Sequence, residues 1–239
     1  MKKVVVIGGG TGQSIMLRAV KNICDIDLTT IVTVADDGGS TGRLREIFDF
    51  PAVGDIRSLM IALSEDENLL ADLMAYRFDD STQELSGHNL GNLILAALIN
   101  NSHSFLEAVN QMSHFLKVKG EIVPSTGFKV ILCAKMLDGE IVEGEHNITD
   151  YQGSIERVFY KDRVYANPLA LKSIEDADYI IFSIGSLYTS ILPNVIIEDI
   201  KLAIGKTQAK KIYFCNALSE LGETTNYPRE DHVRVLEQH

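Results

Sequence analysis

The sequence predicts a mostly parallel, doubly wound α/β sheet with a small β-hairpin insertion. Three observations carry that reading. Short β-branched runs alternate with helical apolar patterns, the order that builds parallel sheets. The first run passes through a cluster of glycines directly into a helical pattern. The second, TTIVTV, is apolar or β-branched at successive positions, as a strand covered on both faces must be.

Taken in order, Val4–Ile7 is the first strand, Gly8–Gly12 a glycine turn and Ser14–Asn22 a helix. Leu28–Ala35 is the second strand, followed by DDGGSTGRLR as a loop. Asp55–Leu63 and Asn68–Tyr76 are helical patterns. Another helix opens at about His88–Asn89, with Leu90, Leu93, Ala97 and Leu98 on one face, and Ser104–Leu116 is the next. Val130–Met136 and Ile141–Glu143 flank LDGE and predict a hairpin with a type I′ turn at Asp138-Gly139; Ile155–Tyr160 adds a short strand. The α/β pattern then resumes with strand Asp178–Ser183, loop IGSLYTS, helix Val195–Ile204 and strand Lys211–Cys215, which ends in Asn216. In such sheets ligands sit beyond the carboxyl ends of the strands, where every candidate motif falls.

The chain has 239 residues, 46% hydrophobic and 23% charged, so it can bury a sizeable core and is expected as one domain over 1–239. A net charge of −11 argues against general nucleic-acid binding and against an anionic membrane surface. Apolar runs fall short of the ~18 residues of a transmembrane helix, and KKVVVIGGG is too short for a signal peptide, so the expected location is the cytoplasm. Cys24, Cys133 and Cys215 lack metal-ligand spacing and are expected as reduced, buried thiols.

Candidate binding residues fall into five groups. Gly9, Gly10, Thr11 and Gly12 present bare backbone at a helix start, where a phosphate can approach the amides. The turn is neither a P-loop nor the full dinucleotide fingerprint. In ADDGGSTGRLR, Asp36 and Asp37 suit ribose hydroxyls or a Mg²⁺ ion, Gly38, Gly39 and Ser40 suit phosphate oxygens, and Arg43 and Arg45 could neutralise them. A phosphate ester that also carries hydroxyls needs both signs of charge. Asp55 and Arg57 in VGDIR open a helix, where an Asp is more often an N-cap than a ligand. His88, Asn89 and Asn92 in GHNLGN offer polar recognition; Gly185, Ser186, Leu187, Tyr188, Thr189 and Ser190, with Asn216 on the next strand, form a second anion or sugar loop.

Together, GGGTG, TVADDGGSTGRLR, GDIR, GHNLGNL, GEIVPST, GSLYTSILPN and GETTNY…DHV resemble the gluconeogenesis-factor (YvcK-like) family, related to the 2-phospho-L-lactate transferases (CofD-like). The likeness runs from Val4 to His232. It implies a Rossmann-like three-layer α/β/α fold. It also implies cytoplasmic binding of a UDP-sugar, UDP-N-acetylglucosamine above all, and a regulatory role in cell shape and growth on gluconeogenic carbon. For the transferase branch it implies that Asp36 or Asp37, with Asp55, are the metal and acceptor residues; Asp36 and Asp55 are the candidate Mg²⁺ ligands. Such an enzyme moves a phospholactyl group from a nucleotide diphosphate donor to a deazaflavin. Asp55 would then be the catalytic candidate. Ile184 stands where the family usually has proline, and the family continues past the DHV segment, so a C-terminal part of the family fold is expected outside this sequence. A homo-oligomer is compatible with these features. A dinucleotide-dependent oxidoreductase rests on strand, glycine and helix alone.

Overall fold

The computed structural model describes residues 1–65, 69–220 and 222–239. Strand β1 (Lys2–Gly8) leads into helix α1 (Gly10–Val20), and β2 (Ile26–Val32) into α2 (Gly39–Ile47). Helices α3 (Gly54–Leu63), α4 (Leu69–Ala75), α5 (Leu90–Asn101) and α6 (Phe105–Phe115) precede β3 (Glu121–Pro124). A second sheet follows: β4 (Leu132–Met136), β5 (Ile141–Glu143), helix α7 (Glu145–Asp150) and β6 (Ile155–Tyr160). The chain returns to the first sheet through α8 (Pro168–Asp176) and β7 (Tyr179–Phe182). A π-helical turn (Leu187–Ile191), α9 (Leu192–Val195), α10 (Glu198–Lys206), β8 (Lys210–Tyr213) and α11 (Arg229–Gln238) complete it.

Among the described residues the main sheet is parallel throughout, in the order β3-β2-β1-β7-β8. The period of two along a strand explains its two covered faces. Val4 and Val6 of β1 pack with Leu17, Ile56, Leu59 and Leu63 from α1 and α3, while Val5 and Ile7 pack with Ile174, Ile180, Ile200 and Ile204 from the other side. This is the expected α/β/α Rossmann-like arrangement. The chain moves outward from β1 to β3 and then restarts at β7 on the opposite side of β1. The strand order therefore reverses between β1 and β7, and in open α/β sheets ligands bind in the crevice at the carboxyl ends of such a pair.

The small antiparallel sheet has the order β5-β4-β6 and packs Ala134, Met136, Ile155 and Val158 against the main core. It contains the expected hairpin, but the turn is not type I′. That type needs positive φ at both central residues, and Asp138 is not among the residues with positive φ. Instead the Gly139 N–H donates to the Met136 carbonyl at 3.0 Å, with Gly139 in the left-handed region at φ 96°.

Other expectations are corrected. The segment after Asp37 is a helix, α2, not a loop. Strand β2 ends at Val32, and Val34 is instead reached by the Ala52 N–H. The buried face of α5 is Gly91, Asn92, Leu95 and Ala96, with Ala97 exposed, because Gly91 is pressed against the Met74 carbonyl and the Arg57 stem. The Val195–Ile204 helix is two pieces, α9 and α10. Strand β3 and helices α7, α8 and α11 come from stretches not read as regular structure. The helix expected from Asn68 runs from Leu69, Asn68 itself lying outside the described residues. Of the cysteines, Cys133 is buried, Cys215 partly so and Cys24 exposed. Among the described residues no helix is long and apolar enough to cross a membrane.

Candidate functional site

The glycine turn is held close on every side. Gly10 has φ +66°, in the left-handed region that favours glycine. A Cβ on Gly9 would stand 2.6 Å from Thr33 and 2.8 Å from the Asp55 carboxylate, and one on Gly12 would stand 2.3 Å from the Ile184 carbonyl. The turn therefore abuts the loop after β7, whose Ser190 Oγ lies 3.4 Å from where a Gly10 Cβ would be. Buried Asn194 ties the two together, donating to the Gly8 and Ser190 carbonyls at 2.9 Å each. Thr11 is exposed at the start of α1.

The two adjacent aspartates diverge. Asp36 accepts from the Gly38 N–H at 3.0 Å, and its other oxygen lies 2.7 Å from where a Gly54 Cβ would be, which places it beside Asp55. Asp37 turns to the small sheet, where it accepts from the His146 N–H at 2.9 Å in the first turn of α7. Arg45 is buried and donates to the Ala35, Asp36 and Val130 carbonyls, the Asp36 bond at 2.9 Å. It holds the end of β2 to the small sheet rather than offering its charge to a ligand. Gly39 is exposed at φ +47° with open space around it.

Asp55 lies where α3 begins, partly buried against the glycine turn. Burial, and then the charge of Asp36, raise its pKa to about 7, against a hydrogen bond from the Gly10 N–H and the charge of Arg57. Glu145 of α7 faces the same space. Burial first, then Asp36, Asp55, Asp37 and Glu223, raise its pKa to about 8. Near neutral pH these two groups can carry protons and donate hydrogen bonds. Glu145 was not singled out from the sequence, because a lone acid in EGEHN has no local signature.

The GHNLGN residues knit helices together. Ser40 Oγ lies 3.2 Å from His88 Nδ1 and accepts from the Asn89 N–H at 3.1 Å. Asn89 caps α5 by accepting from the Asn92 N–H, and Asn92 donates to Thr41 at 3.4 Å. All five side chains are buried. Burial, and then the charge of Arg43, lower the His88 pKa. Arg43 itself is exposed and donates to the Ser86 carbonyl at 2.7 Å.

The second predicted loop already holds a carboxyl group from this chain. Glu223 accepts from Ser186 Oγ, from the Tyr188 N–H at 3.3 Å and from Thr189 Oγ1 at 3.2 Å. Leu187 and Tyr188 pack into the core, and Asn216 clasps the Gly185 peptide, accepting from its N–H at 3.2 Å and donating to its carbonyl at 2.9 Å. Burial raises the Glu223 pKa against these donors. The structure thus brings Gly9, Gly10, Gly12, Asp36, Asp55, Gly185 and Ser190 together at the carboxyl ends of β1 and β7. It directs Asp37, Ser40, Asn89 and Asn216 to internal bonds. Sequence reasoning missed Thr33, Glu145, Asn194 and Glu223, whose roles depend on contacts far along the chain.

For a divalent cation, Asp36 and Asp55 are the adjacent donors. Among the described residues no group of three or more His, Cys, Asp or Glu is arranged to hold a metal. Two carboxylates fit Mg²⁺ when the remaining oxygens come from phosphate and water.

A family profile described as 2-phospho-L-lactate transferase CofD matches residues 4–239. A Bacillus subtilis protein named gluconeogenesis factor is 46% identical over 238 residues, which cover 99% of this chain and 74% of that protein. Another of that name, from Halalkalibacterium halodurans, is 44% identical over 240 residues, covering 100% of this chain and 74% of its own. A crystal structure of a Bacillus halodurans protein superposes with a TM-score of 0.96 at 43% identity, over 100% of this chain and 76% of that one.

Proposed function

The chain belongs to the 2-phospho-L-lactate transferase CofD family, within its gluconeogenesis-factor group, and on that premise we propose that it is a UDP-sugar-binding regulatory protein of the bacterial cytoplasm. Its ligand would be UDP-N-acetylglucosamine, and its role would lie in cell morphology and growth on gluconeogenic carbon. The observation that supports this reading is the crevice at the β1/β7 reversal, where the glycine turn meets carboxyl groups with raised proton affinity. An ionised acid beside a diphosphate would repel it. Protonated Asp55 and Glu145 instead become donors to phosphate or sugar oxygens. The amides at the start of α1 would face the diphosphate, and Asp36 would accept from sugar or ribose hydroxyls.

A thermal-shift series with UDP-N-acetylglucosamine, UDP-glucose, GDP and NAD, each with and without Mg²⁺, tests this. A ligand at about a hundred times its Kd stabilises by ~2.7 kcal/mol. UDP-sugars are expected to stabilise without Mg²⁺; indifference to every UDP-sugar at millimolar concentration would end the reading.

A second reading, a Mg²⁺-dependent phospholactyl transferase, is favoured by Asp36 and Asp55 lying side by side with Glu145 opposite. Bound there with phosphates, Mg²⁺ would supply charge neutralisation. Asp36 and Asp55 would hold it and orient the donor, and Glu145 would accept a proton from the attacking hydroxyl. Stabilisation by GDP that requires Mg²⁺, with turnover lost and nucleotide binding kept in Asp55→Asn, would move the conclusion to this enzyme.

A further inference from the structure

Three arginines gather around the segment that leads into α5. Arg43 donates to the Ser86 carbonyl and Arg77 to the Gly87 carbonyl, each at 2.7 Å. Arg43 Nη2 is also 3.2 Å from where a Gly87 Cβ would be. The Arg57 stem lies on Gly91, four residues further along, with Cδ 2.8 Å from where a Cβ would stand. Among the described residues no carboxylate lies within ion-pair distance of any of the three.

Their donors are largely uncommitted. A guanidinium carries five N–H groups in a planar fork. Arg57 uses one, towards Ser58 Oγ at 3.2 Å, and its Nε is buried without a partner. Arg45 shows the contrast, with its Nη groups spent on three backbone carbonyls. The setting adds to the field. The starts of α2, α3 and α5 meet here, since Thr41 Oγ1 lies 2.7 Å from a Gly54 Cβ position and accepts from Asn92 at 3.4 Å. Three helix N-termini contribute partial positive charge. The Arg77 charge acts on Arg57 more strongly than the opposing charge of either Asp55 or Asp36, a repulsion that an anion would remove.

We propose that Arg43, Arg57 and Arg77 form an oxyanion subsite, next to the Asp36–Asp55 side of the crevice and separate from the glycine turn, that takes a phosphate group. The forks suit bidentate contact with phosphate oxygens. The phosphate could be borne by the crevice ligand itself or by a separate small phosphorylated molecule. The subsite does not rest on the nucleotide reading, and a protein that ignored every UDP-sugar could still bind phosphate here.

The test is calorimetric titration with inorganic phosphate in low-chloride buffer. The proteins are the whole chain and its Arg57→Gln, Arg57→Lys, Arg77→Gln and Arg163→Gln variants. Arg163 lies over Tyr165, outside the subsite, and serves as the charge control. Loss of one charge-assisted contact is expected to weaken binding about tenfold in Arg57→Gln and Arg77→Gln. Arg57→Lys should recover part of it, and Arg163→Gln should match the parent. Arg77 is exposed, so its variant keeps the test valid should Arg57→Gln fold poorly. Repeating the titration with saturating UDP-N-acetylglucosamine separates the sources. Competition assigns the phosphate to the crevice ligand, and independent binding assigns it to a second molecule. No phosphate binding at tens of millimolar, or equal weakening in Arg163→Gln, overturns the proposal.

Discussion

Replacing Asp55 by Asn should change the pH dependence of stability in a direction the site dictates. The carboxyl has a pKa of 3.8 when unperturbed and about 7 in the folded chain, through burial first and then the Asp36 charge. Through that window the folded chain holds a proton that the unfolded chain has released. The native state therefore loses stability as pH rises between the two values and does not regain it above them. From about pH 5 to the raised value is about two units, at about 1.36 kcal/mol each, or about 2.7 kcal/mol. Solvent reaches part of the side chain, which trims the expected difference to roughly 1–3 kcal/mol. Asn keeps an acceptor for the Gly10 N–H and has no charge to desolvate. Urea unfolding of both proteins at about pH 5 and about pH 8 reads the effect. The variant's stability relative to the parent should be greater at the higher pH than at the lower by that difference. Because Asp55 is one cause of the high Glu145 pKa, that group should also titrate lower in the variant. A stability difference that is the same at both pH values would refute the argument that Asp55 is a desolvated, proton-holding group.

The remaining predictions concern how the crevice is held. Arg45→Met removes the charged donor from the Ala35, Asp36 and Val130 carbonyls and should cost about 3 kcal/mol in urea unfolding; a loss below about 1 kcal/mol would show that water replaces it. Asp37→Ala should cost about 1 kcal/mol and speed amide exchange across α7, because its acceptor for the His146 N–H is gone, while ligand affinity stays at the parent value. An affinity loss would place Asp37 at the ligand after all. Gly12→Ala forces a methyl to 2.3 Å from the Ile184 carbonyl, so it should lower stability by more than about 2 kcal/mol and weaken any ligand seated on the glycine turn; unchanged unfolding would mean that the two loops separate easily.

Sequence patterning by itself determined the layers and the edge where the site would form. Val4, Val6, Val5 and Ile7 report a strand buried on both faces without any partner being known, and each glycine cluster marks where a strand stops. The hairpin was legible because alternation and Asp138-Gly139 are local. Other elements were not. The glycines and hydroxyls of GGSTGRL read as a loop, yet burial of Leu44 and Arg45 and the contacts of Ser40 with His88 and Asn89 make it a helix. Strand β3 is four residues and ends in Pro124, which an edge strand tolerates. Only the tertiary structure decided what the acids do. Asp36 and Asp37 are adjacent and alike, but one faces Asp55 while the other binds α7. Glu145 comes from a segment outside every motif, and Glu223 from GETTNY, whose place beside the Ser186 loop no local pattern shows. Proton affinity depends on burial and on which charges stand opposite. Both are set by the order in which strands cross in the sheet, a property that no local stretch of residues contains.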